Sequence, residues 1–450
     1  MMRSMYSGVS GLKNHQTKMD VIGNNIANVN TTGFKKSRVV FKDTLYQTIR
    51  GASRSTSVRG GTNPMGVGLG MTLASIDQIH TNAPTTVTNK LTDMAVDGNG
   101  YFIVSNGDED YYTRAGDFDF DTDGNLVSTS NGYKVQGWLA DRDKLDSTGD
   151  WAIDTTGGTI PIDIYGFKSV SPKATSKVDF GGNLDSGTAT TTIAAATDKP
   201  AADAAVVTSK EIYDSLGNKQ TVYFKFFKVG ADQWDCDVSL DSGFTTPAAG
   251  LGSYTSGGNL VDGAAVRVTG IKFKTDGSID TTSPNITNIN LTIPRTAQGA
   301  DDIKVNIDVN QLTQYDSKST AWAEKQNGYT QGDLNSYTVG IDGVIKGVYS
   351  NGEVKSLARV AVANFQNPAG LLQTGGTMFQ ISNNSGDARI GAPGEQGMGA
   401  IIPGSLEMSN VDLSEELTDM IVAQRGFQAN SRIITTSDEM LQELVNLKRS

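Results

Sequence analysis

One cysteine, two histidines and no long apolar run are the first features of this 450-residue chain. A single cysteine, Cys236, excludes an intrachain disulfide framework and any Cys-rich metal site. Asp235 and Asp237 flank it, and adjacent carboxylates raise a thiol pKa, the reverse of activation. His15 and His80 stand far apart with no legible partner, so neither a nucleophilic triad nor zinc spacing is readable. No catalytic, cofactor-binding or metal residue is therefore assigned. No run approaches the ~18 apolar residues of a membrane span, and no membrane insertion is expected. The first 30 residues hold Arg3, Lys13, Lys18 and many Asn, with no apolar core of the kind a secretory leader needs. A cytoplasmic protein, or export by a route without a cleaved signal, is expected. Basic residues are also short: 38 Lys and Arg against 49 Asp and Glu give a formal net charge of −11. That balance argues against nucleic acid or an anionic membrane as partner.

What is present is glycine and heptads. Glycine at 51 residues exceeds the usual ~7% and, with abundant Thr, Asn and Asp, implies many tight turns and β structure. Near the C-terminus Leu413, Met420, Phe427, Ile434 and Leu441 recur every seven residues, with Leu417 beside them. Near the N-terminus Met5, Leu12, Met19 and Ile26 do the same, flanked by Val9 and Ile22. A lone amphipathic helix cannot bury its apolar face, so the two ends are expected to pair like a coiled coil. The first helix is read over residues 4–29, capped by Ser4, and would span roughly 39 Å. Asn24, Asn25 and Asn28 sit among its stripe residues. They either end the helix or hydrogen-bond to a neighbouring helix and fix register.

Between the ends the pattern is β. Residues 36–90 read as extended and polar, and Gly66-Val67-Gly68-Leu69-Gly70 lacks the spacing of a dinucleotide loop. Residues 93–104 read as strand, Gly-Asn-Gly turn, strand, and Asp123-Gly124 suits a type I′ hairpin turn. Asp119-x-Asp121-x-Asp123-Gly124 matches half of a calcium loop. The twelfth position is Ser130 instead of the closing Glu, and the flanks read as strands, so a carboxylate-bearing hairpin face is the preferred reading. Residues 188–209 are rich in Ala and Thr and read as a surface loop.

Two signatures then carry a resemblance. Ser7-Gly8-Val9-Ser10-Gly11-Leu12 followed by Asp20-Val21-Ile22-Gly23-Asn24-Asn25-Ile26-Ala27-Asn28-Val29-Asn30-Thr31-Thr32-Gly33-Phe34-Lys35 resembles the opening of the bacterial flagellar rod and hook axial proteins. The run from Ser405-Leu406-Glu407 to Leu413, continued by Gln424-Arg425-Gly426-Phe427 and Thr435-Thr436-Ser437-Asp438-Glu439-Met440-Leu441, resembles the family's C-terminal signature. The resemblance implies a mainly β protein with long terminal α-helices, two nested all-β domains being looped out between the paired ends. The expected division is a terminal helical domain of residues 1–35 and 405–450, and an extended linker of 36–90 and 386–404. A first β domain of 91–172 and 313–385 and an inserted β domain of 173–312 complete it.

By the same resemblance, and from the large inserted region, the expected function is structural and not enzymatic. The chain would be a hook subunit, self-assembling into a curved helical tube that acts as a universal joint between rod and filament. The expected assembly residues are Met5, Val9, Leu12, Met19, Ile22, Asn24, Asn25, Ile26, Asn28, Leu413, Leu417, Met420, Phe427, Ile434 and Leu441. Implied partners are copies of itself, rod proteins below, junction proteins above, the hook cap and the flagellar type III export apparatus. Some family members form a covalent Cys–Lys link between subunits, but nothing around Cys236 argues for one. A distal rod or hook-associated role and, more remotely, a secreted glycan-binding or hydrolytic β protein are the alternatives. The terminal helices are expected to have little to bury against within one chain and to fold on assembly.

Overall fold

The computed structural model describes residues 2–57, 59–191, 205–244, 258–259, 266–282, 288–293 and 299–447. It is mostly β, with one helix near each end: α1 (Met2–Ala27) and α2 (Leu413–Leu447). The chain divides into two compact units. The first is Met1–Gly166 with Ser336–Gly347 and Val354–Ser450; the second is Phe167–Asn335 with Val348–Glu353. The insert thus extends on both sides of the expected 173–312. The Ile303–Tyr315 strand runs past residue 312, and Trp322–Gln326 follows it to pair with Lys177–Asp185.

In the first unit α1 begins at Met2, so Ser4 lies inside the first turn and is not its cap. The stretch after it, expected as an extended linker, forms two antiparallel strand pairs. Ser37–Asp43 pairs with Met71–Gln78, and Tyr46–Arg50 pairs with Met65–Gly68. This strap lies on α1. A side chain at Gly70, where φ is +113°, would stand 2.3 Å from Ser10 Oγ. Asn14 Nδ2 donates to the Met71 carbonyl at 2.8 Å. Gly66 and Gly68 belong to the strap's return strand.

The β core gathers around Tyr101–Ser105, which pairs with Asp110–Thr113, Lys134–Leu145 and Val362–Asn364. The two strands expected over residues 93–104 form as Met94–Asp97 and Tyr101–Ser105, but they do not pair with each other. Met94–Asp97 pairs instead with Ala400–Pro403, a strand inside the expected C-terminal linker. Gly98 and Gly100, at φ +108° and +141°, turn the chain away between the two strands. Phe118–Phe120 does pair with Leu126–Ser128. The turn is longer than a two-residue one: Asp121 Oδ1 accepts from the amides of Asp123 and Asn125, and Asn125 Nδ2 donates to Oδ2. Asp119 meets Lys90 Nζ at 3.0 Å. These carboxylates are engaged by the protein's own donors.

The second unit is a sandwich. One sheet orders Gly258–Asn259, Asn288–Ile293, Ile303–Tyr315, Lys177–Asp185 and Trp322–Gln326; the other runs Ala205–Tyr213, Lys219–Gly230, Gln233–Ser239, Val266–Lys272. Alternating apolar residues of both sheets meet in one core, where Phe180 packs edge-on against Phe224 at 4.7 Å. The loop expected over 188–209 falls largely on residues 192–204, outside the described residues; its last part is a strand, Ala205–Tyr213. Cys236 is fully buried in this core, and burial first, then Asp237, pushes its thiol well up. A soluble aromatic disulfide is therefore expected to label Cys236 only after unfolding, as absorbance of the released thiolate would report; prompt native labelling at pH 8 would contradict this packing.

Candidate assembly interface

The two terminal helices run antiparallel, and glycine sets how closely they approach. A Cβ at Gly8 would meet Ile434 Cγ1 at 3.4 Å, one at Gly11 Asn430 Nδ2 at 2.6 Å, and one at Gly426 His15 Nε2 at 2.7 Å. Further along, Lys18 Nζ lies 3.2 Å from Asp419. Asn25 closes the seam at its base: Nδ2 donates to Glu416 Oε2 at 3.1 Å and to the Ser37 carbonyl at 2.8 Å, while Oδ1 accepts from the Ser37 amide at 3.0 Å. The helices therefore do have partners within one chain, namely each other and the strap.

The seam is not the apolar heptad. On α2 the buried residues are Glu416, Ala423 and Ser437, spaced seven and fourteen apart with half-buried Asn430 between the last two. On α1 they are Gly8, Gly11, Asn14, Ile22 and Asn25. Of the residues expected from sequence, Ile22 and Asn25 are buried in it. Met5, Leu12, Met19, Ile26, Met420, Phe427, Ile434 and Leu441 are half-buried, and Val9, Leu413 and Leu417 are exposed. Asn24 and Asn28 do not reach another helix: Asn28 Nδ2 donates to the Asn24 carbonyl at 2.9 Å and ends α1 locally. Asn25 thus bonds to the other helix, whereas Asn28 bonds back to Asn24. The other seam residues were missed because small and polar side chains recurring at seven leave no trace in hydrophobic periodicity.

Below the seam lies a sealed ionic cluster. Glu407 takes Lys35 Nζ on Oε1 at 2.6 Å and Arg114 Nη1 on Oε2 at 3.2 Å, with all three side chains nearly inaccessible. Oε1 also accepts the Ala83 amide at 3.0 Å, and Lys35 Nζ donates to the Thr81 carbonyl at 2.7 Å. Arg114 spreads its other donors on the carbonyls of Val96 and Gly98, and its guanidinium covers Tyr101. Burial pulls Lys35 down against the upward pull of Glu407. His80 is bonded to the Tyr101 hydroxyl at 2.8 Å. Burial first, then Lys35 and Arg114, hold His80 at about 4, so it is neutral near pH 7. Burial pushes Tyr101 up to about 12. Gly33, at φ +66°, seats the N-terminal segment on the Arg114–Ala115 backbone, and its amide donates to the Glu407 carbonyl at 2.8 Å. Among the described residues no group of three His, Cys, Asp or Glu is placed to hold a metal.

Apolar surface is left outside this seam. On α2, Ile421, Val422, Ile433, Met440, Leu444 and Val445 are exposed, as are Leu45, Tyr46 and Ile49 on the strap. Among the described residues no helix is long and apolar enough to cross a membrane.

Four family profiles match in chain order. "Flagella basal body rod protein" covers residues 5–35 and "Flagellar hook protein FlgE/F/G D1 domain" 95–171. "Flagellar basal body protein FlaE D2 domain" covers 183–329 and "Flagellar basal body rod FlgEFG protein C-terminal" 402–447. They define the class, a flagellar axial protein of the rod and hook type. The flagellar hook protein FlgE of Borreliella burgdorferi is 43% identical over 457 residues, spanning 100% of both chains. FlgE of Treponema pallidum is 38% identical over 469 residues, again 100% of both. The basal-body rod protein FlgG of Bacillus subtilis is 32% identical over 450 residues at the same coverage. The chain belongs to the flagellar hook protein family and is a structural subunit of the bacterial flagellar hook.

Proposed function

We propose that this subunit polymerises helically through its terminal helices into a tube, and that the tube serves as a flexible joint between rod and filament. The observation that carries the reading is the division of α2 into two kinds of surface. One side is closed against α1 by small and polar groups; the other leaves Ile421, Val422, Met440, Leu444 and Val445 about half exposed. Exposed apolar side chains spread along one helix in this way, on a chain of net charge −11, favour a protein partner. Another copy offers the same surface, and contacts between different patches of identical subunits propagate without closing. The flanking Met420, Phe427, Ile434 and Leu441, with Met5, Leu12, Met19 and Ile26, would complete such contacts.

In this reading the role is mechanical. Rod proteins would adjoin one end of the tube and junction proteins the other, with the hook cap and export apparatus acting during assembly outside the cell. The test is electron microscopy of the full chain beside an Ile421→Asp, Val422→Asp variant under assembling salt. Tubes from the parent and none from the variant are expected, with unchanged thermal unfolding of the monomer because both positions face solvent there. Normal tubes from the variant would move the decisive contacts off α2.

A further inference from the structure

We propose that the Lys35–Glu407–Arg114 cluster makes docking of the N-terminal segment conditional on arrival of the C-terminal one. Two cations, Lys35 and Arg114, are sealed in one site, and the carboxylate paired with both comes from Glu407, 372 residues after Lys35. Arg114 Nε is buried without a hydrogen-bond partner, and among the described residues Glu407 is the carboxylate paired with this guanidinium. Removing the one anion leaves two buried like charges facing each other, the costly way to break a buried ion network. Glu407 also fastens backbone: its carbonyl holds the Gly33 amide and its carboxylate the Ala83 amide. One residue thus ties segments 33–35 and 81–83 to the β core.

Synthesis runs from the N-terminus, so α1 and Lys35 exist long before Glu407. Until Glu407 docks, Lys35 is repelled from the Arg114 site and the segment below α1 stays unlatched. Glu407 lies six residues before α2 begins at Leu413, so latching brings α2 to its partner in the same step. A truncated chain cannot then present the paired helices that the proposed polymerisation uses. The inference leans on that reading for its consequence, but the latch is measurable without it.

The test is amide exchange on the dilute full-length chain, comparing the parent, E407Q and the double variant K35M/E407Q. E407Q is expected to speed exchange across residues 30–36 about 100-fold while the Tyr101–Ser105 strand keeps its protection. Adding K35M, which removes one of the facing cations, is expected to recover about tenfold or more of that protection. Parental protection in E407Q would overturn the proposal. So would a double variant no better than E407Q, because lost hydrogen bonds and not repulsion would then explain the effect. Loss of protection throughout Tyr101–Ser105 in E407Q would also overturn it, since the cluster would then hold the β core and not a latch. Exchange is read on monomers, so a failure to form tubes bears on polymerisation and leaves the latch result standing.

Discussion

Gly33→Ala is expected to cost the first unit about 4 kcal/mol. The left-handed φ of +66° charges about 1–2 kcal/mol to any residue with a Cβ. The new methyl would stand 2.4 Å from the Ala115 nitrogen and 2.8 Å from the Arg114 carbonyl carbon. These are backbone atoms at the edge of the β core, so no rotamer change relieves the overlap, and overpacking of this kind costs about 1–3 kcal/mol. Backing away breaks the Gly33–Glu407 bond, roughly another 1 kcal/mol. Chemical denaturation followed by exchange of residues 28–43 measures it. A loss below about 1 kcal/mol would mean that the segment lifts off freely and that its seat on Arg114–Ala115 constrains nothing.

Asn25→Leu is expected to cost about 3 kcal/mol, concentrated at the base of the helix pair. Leucine keeps the branched shape of asparagine but leaves the Ser37 amide, the Ser37 carbonyl and Glu416 without the partner they have now. Each buried group so stranded costs about 1–3 kcal/mol, reduced where it can turn to water. Asn25→Asp separates shape from chemistry: it keeps an acceptor for the Ser37 amide but sets a second carboxylate against Glu416. Its stability should be at least as poor as that of the leucine variant at pH 7 and should recover on mild acidification. Both variants should shorten or abolish tubes, as microscopy would show. An Asp variant as stable as the parent at neutral pH would show that Asn25 does not donate to Glu416.

The helices were readable because an apolar heptad is a signal in residue type and spacing together. The seam was not, because Gly8, Gly11 and Gly426, which decide how close the helices come, and the buried Ala423 and Ser437 are silent in that pattern. Asn25 points from α1 toward Glu416, whereas Asn28, just past the end of α1, bonds back to Asn24, a difference that a string of three amides does not reveal. Lys35 and Glu407 each stood inside a recognisable signature. That they meet, with Arg114 from a third segment, depends on non-local strand pairing such as Met94–Asp97 with Ala400–Pro403. Alternation of apolar residues along Ile303–Val309 and the flanking acids of Cys236 survived into the structure, because burial on one face of a strand is a local property.

A greasy helix pair can slide; this one is keyed. A shift of α1 along α2 by one turn would carry Asn25 away from Glu416 and, in one direction, bring Asn14 to where Gly11 now meets Asn430. Either change is opposed by a steep local penalty and not by a gradual loss of contact area. As a strut under tension, the pair would resist axial pull at full stiffness until its polar keys shear together. Its failure under load should therefore appear as a single abrupt step in a force-extension trace, with no preceding creep.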